Sequence, residues 1–177
     1  MRILALSGSL RAASTNTAAL EAMVRLAPAG LDVALYRELG ALPHFNPDND
    51  RETPPAAVGA LRALVGSSDG LLIAAPEYAH GVPGALKNAL DWLVASLEFP
   101  AKPVALINTA PRANHAQSAL REILTTMSAR LVPEAFVVLP LTPQDVDADR
   151  IAANPALAQA LRAGLDCFIN AIRGDAG

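Results

Sequence analysis

The chain has 177 residues, 52% of them apolar, and a formal net charge of −3. A chain of this length fits one domain, residues 1–177, with a buried core of its own. No apolar run approaches the roughly 20 residues that a membrane-spanning helix needs. The sequence also contains no basic cluster of the kind that is typical of nucleic-acid-binding proteins. We therefore expect neither a membrane nor a nucleic acid as a partner.

The cysteine content and the N-terminus favour a cytoplasmic protein. Cys167 is the single cysteine, so an internal disulfide or a thiolate metal cluster cannot form. The apolar run after Arg2 is too short for a signal peptide. We interpret Cys167 as a packing or surface residue without a catalytic role.

The first segment has the pattern of a buried strand, a polar loop and a helix start. Ile3–Leu6 is an apolar run of strand length that ends at Ser7-Gly8. A loop rich in hydroxyl groups follows, and Asn16 at its end is expected to cap a helix. The predicted buried face of this helix consists of Leu20, Met23, Val24 and Ala27. Backbone N–H groups and the dipole at such a helix start favour an anion.

The composition of this loop indicates which anion. It lacks both the Lys-Ser/Thr pair of a nucleoside-triphosphatase loop and the Gly-x-Gly-x-x-Gly pattern that approaches a pyrophosphate. Hydroxyl and amide donors with one cation suit a single terminal phosphate monoester. The donors are Ser7, Ser9, Arg11, Ser14, Thr15 and Asn16. The alternative is that these polar residues only cap the helix.

Four further strands and four further helices follow in alternation. The predicted strands are Leu31–Tyr36, Leu71–Ala75, Val104–Asn108 and Phe136–Leu139. The predicted helices start at Pro54-Pro55, pass through Leu86–Leu93, span Ala116–Leu131 and start at Asn154-Pro155. The stretches Leu42–Pro55 and Leu141–Ala153 are expected to be irregular, the first because it contains four prolines.

This alternation predicts an α/β fold with a parallel sheet and right-handed crossovers. Five β–α units match a doubly wound five-stranded sheet of order 2-1-3-4-5, with helices on both faces. In this order the carboxyl ends of strands 1 and 3 flank one crevice. The loops Ser7–Asn16 and Pro76–Gly84 are then neighbours in space.

The second of these loops suits a flat ring. Gly81 and Gly84 allow the backbone to approach a ligand, and Tyr78 supplies an aromatic ring that can lie near a heterocycle. One loop for a phosphate and one for a ring predict a mononucleotide site. The alternative is an ordinary strand-to-helix turn punctuated by proline and glycine.

Two long motifs resemble the NADPH-dependent FMN reductase family. One is Gly8-Ser9-Leu10-Arg11 with Ser14 and Asn16; the other is Pro76-Glu77-Tyr78 followed by Pro83-Gly84-x-Leu86-Lys87-Asn88-x-x-Asp91-Trp92. The family is flavodoxin-like and includes quinone, chromate and azo-dye reductases. The resemblance covers most of the chain and implies FMN as cofactor with NADPH or NADH as co-substrate.

The resemblance also implies roles for individual residues. Ser9, Arg11, Ser14, Thr15 and Asn16 would hold the FMN phosphate. Pro76, Glu77, Tyr78 and Gly81 would border the isoalloxazine ring, and Asn108 and Thr109 would donate to the flavin. Lys87, Asn88, Asp91 and Trp92 would be mainly structural and contribute, with Leu42–Asp50, to the interface of a homodimer or homotetramer.

One loop departs from the family pattern. After the fourth strand the family usually has a glycine-rich loop, whereas Asn108–His115 contains no glycine. Arg112 and His80 are candidates to contact the nicotinamide nucleotide or substrate, although Arg112 also fits an ordinary exposed loop position. By analogy with the family, His44 would reach a neighbouring subunit's site. No carboxylate stands at ligand spacing from His80 or His115, so we expect no metal.

The expected activity follows from the resemblance. NADPH or NADH would give a hydride to FMN at N5, and a quinone, azo compound, metal oxyanion or free flavin would then take two electrons, by ping-pong kinetics. The cofactor carries this chemistry, so no side chain is expected to be catalytic. The alternatives are a non-enzymatic FMN-binding electron carrier or binding module, and a flavin-free relative that binds another phosphorylated metabolite.

Overall fold

The computed structural model of the chain describes residues 1–112 and 114–174. The strands are β1 (Arg2–Ser7), β2 (Asp32–Tyr36), β3 (Gly70–Ala74), β4 (Pro103–Asn108), β5 (Arg130–Leu131) and β6 (Val137–Val138). The helices are α1 (Thr15–Leu26), α2 (Ala56–Gly66), α3 (Gly84–Leu93), α4 (Asn114–Thr126), α5 (Ala148–Ala153) and α6 (Pro155–Arg173). Short 3-10 turns lie at Leu39–Ala41, Pro47–Asn49 and Pro133–Ala135.

The strands form one parallel sheet in the order β2-β1-β3-β4-β5, and β6 also pairs with β4. Successive side chains of β1 point to opposite faces. Ile3 and Ala5 pack with α1, α5 and α6 in one core cluster, whereas Leu4 and Leu6 pack with α2, α3 and α4 in the other. The structure therefore confirms the flavodoxin-like, doubly wound α/β fold with helices on both faces.

The fifth position of the sheet differs from the prediction of one strand at Phe136–Leu139. Two short strands share it: β5 pairs with the start of β4 and β6 pairs with its end. The predicted helix through Leu131 was too long, because α4 ends at Thr126 and Ser128 turns the chain with a positive φ of 62°. Pro133, which has no N–H to donate to a ladder, opens the 3-10 turn between the two strands.

Three smaller predictions were also wrong. Ser14 rather than Asn16 caps α1, since the Ser14 hydroxyl accepts from the Thr17 N–H. Val24 is 39% exposed and lies outside the core. The stretch Leu141–Ala153 is not wholly irregular, because its end forms α5, capped by the Asp147 carboxylate. In the first and third cases a side-chain cap decided the local structure.

Helix α3 ties down the proline-rich loop that follows the first 3-10 turn. Asn88 accepts from the Phe45 N–H at 2.7 Å and donates to the Pro43 carbonyl at 3.0 Å. Trp92 Nε1 donates to the same carbonyl at 2.8 Å, and its ring meets Phe45 edge-to-face. These contacts fit the structural role expected for Asn88 and Trp92. Trp92 is fully buried within the chain, so its side chain is not available to a subunit interface.

Across the described ranges, the helices are all too short or too polar to cross a bilayer.

Gly164 in α6 provides a test of how closely this helix packs on β6. A Cβ at this position would overlap Val137 Cγ2, and the stiff valine side chain has little room to move. We expect Gly164→Ala to lower the free energy of unfolding by about 1–3 kcal/mol, as overpacking does. Urea denaturation measures the change.

Gly59→Ala in α2 is the matched control, because a Cβ there meets no atom within 4 Å. Replacing a helix-interior glycine by alanine at such a site should stabilise by about 0.5–1 kcal/mol. Equal effects of the two substitutions would contradict the close packing of α6 on β6.

Candidate functional site

Four loops meet at the carboxyl edge of the sheet and enclose a cavity of about 200 Å³, which we call the crevice. The loop after β1 contributes Ser9, Arg11, Ala13, Ser14, Thr15 and Asn16. The loops after β3 and β4 contribute Pro76 and Tyr78, and Thr109 and Ala110. The loop after β6 contributes Leu141, Thr142, Pro143 and Val146. Arg11 and Tyr78, far apart in sequence, therefore line one cavity.

Gly8 lets the first loop leave the sheet at the correct place. Its N–H donates to the Ala74 carbonyl at 2.8 Å, which extends the pairing of β1 with β3. A Cβ at Gly8 would lie only 3.3 Å from the Ala75 Cα and 3.1 Å from a methyl of Leu86. Close approach of the loop to the end of β3 therefore requires glycine here.

Hydroxyl groups fix the shape of the loop after β1. The Ser7 and Thr17 hydroxyls are 2.7 Å apart, and the Ser9 N–H donates to the Ser7 oxygen at 3.4 Å. The Arg11 N–H donates to the Ser9 oxygen at 3.4 Å. The Arg11 side chain itself is exposed, and in the described part of the chain no carboxylate pairs with it. The loop therefore presents an uncompensated cation at a helix N-terminus.

Side chains also link the loops after β1 and β4. The Thr109 hydroxyl donates to Asn16 Oδ1 at 3.2 Å and lies 3.2 Å from the Thr15 hydroxyl. Asn16 and Thr109 are buried, with 5% and 3% of their surfaces exposed. Because a buried polar group must be paired to be stable, this link holds the two walls of the crevice at a fixed separation.

The loop after β3 contains a tight turn. The N–H and carbonyl groups of Tyr78 and Gly81 pair in both directions, at 3.2 and 2.9 Å. The two residues between them, Ala79 and His80, have positive φ values of 49° and 59°. Such turns normally use Asn-Gly, so non-glycine residues here carry backbone strain. The turn presents the ring of Tyr78, which is 51% exposed.

Five of the predicted site residues lie outside the lining of the crevice. The Glu77 carboxylate accepts from the Ala116 N–H at 2.8 Å and so caps α4. The His80 ring stacks on His115 with centroids 4.2 Å apart. Asn108 Oδ1 accepts from the Ala110 N–H at 2.9 Å. The remaining two are Gly81, which belongs to the tight turn, and Arg112, which is exposed; Ala113 of the same loop lies outside the described residues.

The wall after β6 was not anticipated from the motifs. Thr142 donates its N–H and its hydroxyl to one Asp145 oxygen, at 2.7 and 2.8 Å. These two hydrogen bonds hold the pKa of the Asp145 carboxyl below its usual value. The only available signal was topological, because the carboxyl end of a last parallel strand opens at the same edge as the others.

A larger cavity, of about 530 Å³, lies on the β2 side of the same loop. It shares Ser9, Arg11, Ser14 and Val146 with the crevice, but its remaining walls come from the rest of the first loop, α1, the end of β2 and the turn Leu39–Ala41. The Glu21 carboxylate in this wall pairs with Arg37 at 2.9 Å. Of the two cavities, only the crevice sets the donors of the first loop beside the ring of Tyr78.

Within residues 1–112 and 114–174, no group of three or more His, Cys, Asp or Glu side chains is placed to hold a metal ion.

The fold and the crevice together define a class of protein. A doubly wound sheet of this order, with a polar loop and an aromatic turn at the switch point, is the arrangement of mononucleotide-binding proteins. The family model described as NADPH-dependent FMN reductase matches residues 1–144. The chain therefore belongs to the NADPH-dependent FMN reductase family, and it is an oxidoreductase with FMN as cofactor and NAD(P)H as co-substrate.

Individual relatives agree with this membership. An NAD(P)H-dependent FMN reductase of Pseudomonas aeruginosa is 37% identical over 112 residues, which are 62% of this chain and 60% of that protein. A quinone reductase of Escherichia coli is 34% identical over 139 residues, 75% of this chain and 73% of that one. Among solved structures, the flavoenzyme NAD(P)H:(acceptor) oxidoreductase FerB of Paracoccus denitrificans superposes with a TM-score of 0.80 at 28% identity, covering 98% of this chain and 97% of its own.

Proposed function

We propose that this chain passes a hydride from NADPH or NADH to the N5 atom of FMN held in the crevice, and from there two electrons to a small acceptor. NAD(P)H is oxidised and the acceptor is reduced. The observation that carries the proposal is the convergence of Arg11 and the first loop with Tyr78 in one cavity. When bound, FMN supplies the hydride-accepting centre; the protein supplies position and charge.

The donors of the first loop fit a phosphate monoester. The uncompensated Arg11 guanidinium and the N-terminus of α1 both favour an anion carrying close to two charges. Ser9, Ser14 and Thr15 add hydroxyl groups on the crevice side. Asn16 has its carbonyl oxygen occupied by Thr109, which leaves its NH₂ group as a donor.

The other loops fit a flat ring. Tyr78 and Pro76 form one wall, and Thr109 and Ala110 form another. Glu77 and Gly81 act by position: Glu77 ties the loop to α4, and Gly81 closes the turn that aims Tyr78. The Asn108 side chain accepts a hydrogen bond from the Ala110 N–H. It therefore supports this wall without lining the crevice itself.

The open side of the crevice must admit both the nicotinamide and the acceptor. Because the two cannot stack on one ring together, we infer ping-pong kinetics. Arg112 and His80 are exposed on the flanking loops and remain the candidates to contact these ligands. Relatives named quinone reductase and FMN reductase make a quinone or free flavin the preferred acceptor, ahead of an azo compound or a metal oxyanion such as chromate.

We further propose a homodimer or homotetramer in the cytoplasm. Two large apolar side chains beyond the end of α3 are exposed, Val94 at 60% and Leu97 at 93%. Helix α3 would thus reach the contact through this apolar pair rather than through Trp92. The exposed His44 on the adjoining loop is placed to approach a neighbouring subunit.

A spectroscopic titration tests the proposed activity directly. The purified protein, reconstituted with FMN, should show the visible bands of oxidised flavin and lose them when NADPH or NADH is added without oxygen. Adding a quinone should restore the bands. Steady-state rates should give parallel double-reciprocal lines; retained bands with both nucleotides would contradict the proposal.

Arg11→Ala tests the phosphate role of the first loop. Hydrogen bonds to a charged group contribute roughly 1.5–3 kcal/mol each, so we expect FMN to bind at least about tenfold more weakly. Fluorescence titration of free FMN measures the dissociation constant. Arg162→Ala, at an exposed position on α6, should leave it unchanged. An unaltered constant for Arg11→Ala would refute the assignment.

The apolar pair at the end of α3 tests the assembly. Placing charges in an apolar contact is costly, so Val94→Glu with Leu97→Glu should convert the oligomer to a monomer in sedimentation velocity. Cys167→Glu, also at an exposed position, is the control. A double variant that sediments like the parent protein would place the interface elsewhere.

A further inference from the structure

A third cavity, of about 300 Å³, lies between α4 and β6. It shares no lining residue with the crevice. The two are separated by the segment after β4: Asn108 and Pro111 face the third cavity, whereas Thr109 and Ala110 face the crevice. One short stretch of backbone is therefore a wall of both.

Gln117 gives this cavity a polar group. Its surface is 7% exposed, it lines the cavity, and its amide makes no hydrogen bond within residues 1–112 and 114–174. Its carboxamide NH₂ group can therefore donate to a ligand that enters the cavity. The carboxamide of Asn114 and the hydroxyl of Ser118 line the same space.

Arg121 gives the cavity a positive charge. It lies one helical turn beyond Gln117, on the same face of α4. Its guanidinium stacks over the Phe136 ring at 5.0 Å, an arrangement that fixes the group while leaving its edge N–H donors free. In the described part of the chain no carboxylate lies within ion-pair distance of it.

We propose that this cavity is a binding site for a small organic carboxylate. The fork of a guanidinium matches a carboxylate in two parallel hydrogen bonds, and Gln117 would donate a further one. Phe136 and Val138 offer apolar surface for the body of the ligand. A compact inorganic anion would pair with the guanidinium but leave the apolar surface in contact with water. An organic acid would cover both and therefore fits better.

The site goes beyond the proposed reductase activity and does not depend on it. A ligand here would touch Asn108 and Pro111 and so restrict the segment that also walls the crevice. Asn108 is held from the other side as well, because its carbonyl accepts from the Leu139 N–H at 2.8 Å. Occupancy is therefore expected to perturb the spectrum of FMN in the crevice without displacing it.

Isothermal titration of benzoate into the FMN-loaded protein tests the proposal. We expect one site per chain with a dissociation constant of about 1 mM or lower. Arg121→Gln should weaken binding at least about tenfold. Gln117→Glu, nearly isosteric, should abolish it, because the new carboxylate repels the ligand and reaches Arg121. Arg162→Gln is the matched control, and thermal unfolding confirms that each variant folds.

Several results would overturn the proposal. Absence of benzoate binding, or binding unaffected by Arg121→Gln, removes the site. Inorganic phosphate that binds as tightly as benzoate would show a simple anion site rather than a carboxylate site. Release of FMN on adding benzoate would place the ligand in the crevice. Titrating the FMN-free protein in parallel separates these outcomes from any failure of FMN to bind.

Discussion

The parallel pairing of β1 with β2 and β3 is the constraint on which the rest of the structure depends. Every residue from Ile3 to Leu6 is at most 1% exposed, and alternate residues enter opposite cores. A slip of one residue would exchange the two faces. The register therefore fixes where Ser7 and Gly8 leave the sheet, and with it the position of the first loop relative to the end of β3.

Side-chain hydrogen bonds then turn a set of loop ends into a shaped cavity. Loops are usually the most variable part of a fold, yet here Thr109, Asn16 and Thr15 join two of them through side chains. Glu77 joins a third loop to α4, and Thr142 with Asp145 holds the fourth. Because these bonds form before a ligand arrives, little ordering cost remains to be met on binding.

The segment after β4 connects two different environments. Thr109 and Ala110 of this segment line the crevice, whereas Asn108 and Pro111 line the cavity next to Arg121. The absence of glycine from Asn108 to His115 fits this double contact, since side chains are needed on both sides of one backbone. This glycine-free sequence thus coincides with a feature of the chain's own packing.

The sequence by itself determined the α/β class and the loops that line the crevice, because apolar periodicity and the two motifs are local patterns. The strand order followed from matching five β–α units to the doubly wound arrangement. Only the tertiary structure decided that Ser14 caps α1 while Asn16 bonds to Thr109, that Glu77 turns to α4, and that the last strand divides in two. It also supplied the wall from Leu141 to Val146 and the cavity at Gln117 and Arg121. The physical reason is that each of these depends on which distant group satisfies a polar atom or fills a space, and a contact between residues far apart leaves no periodic trace in either segment.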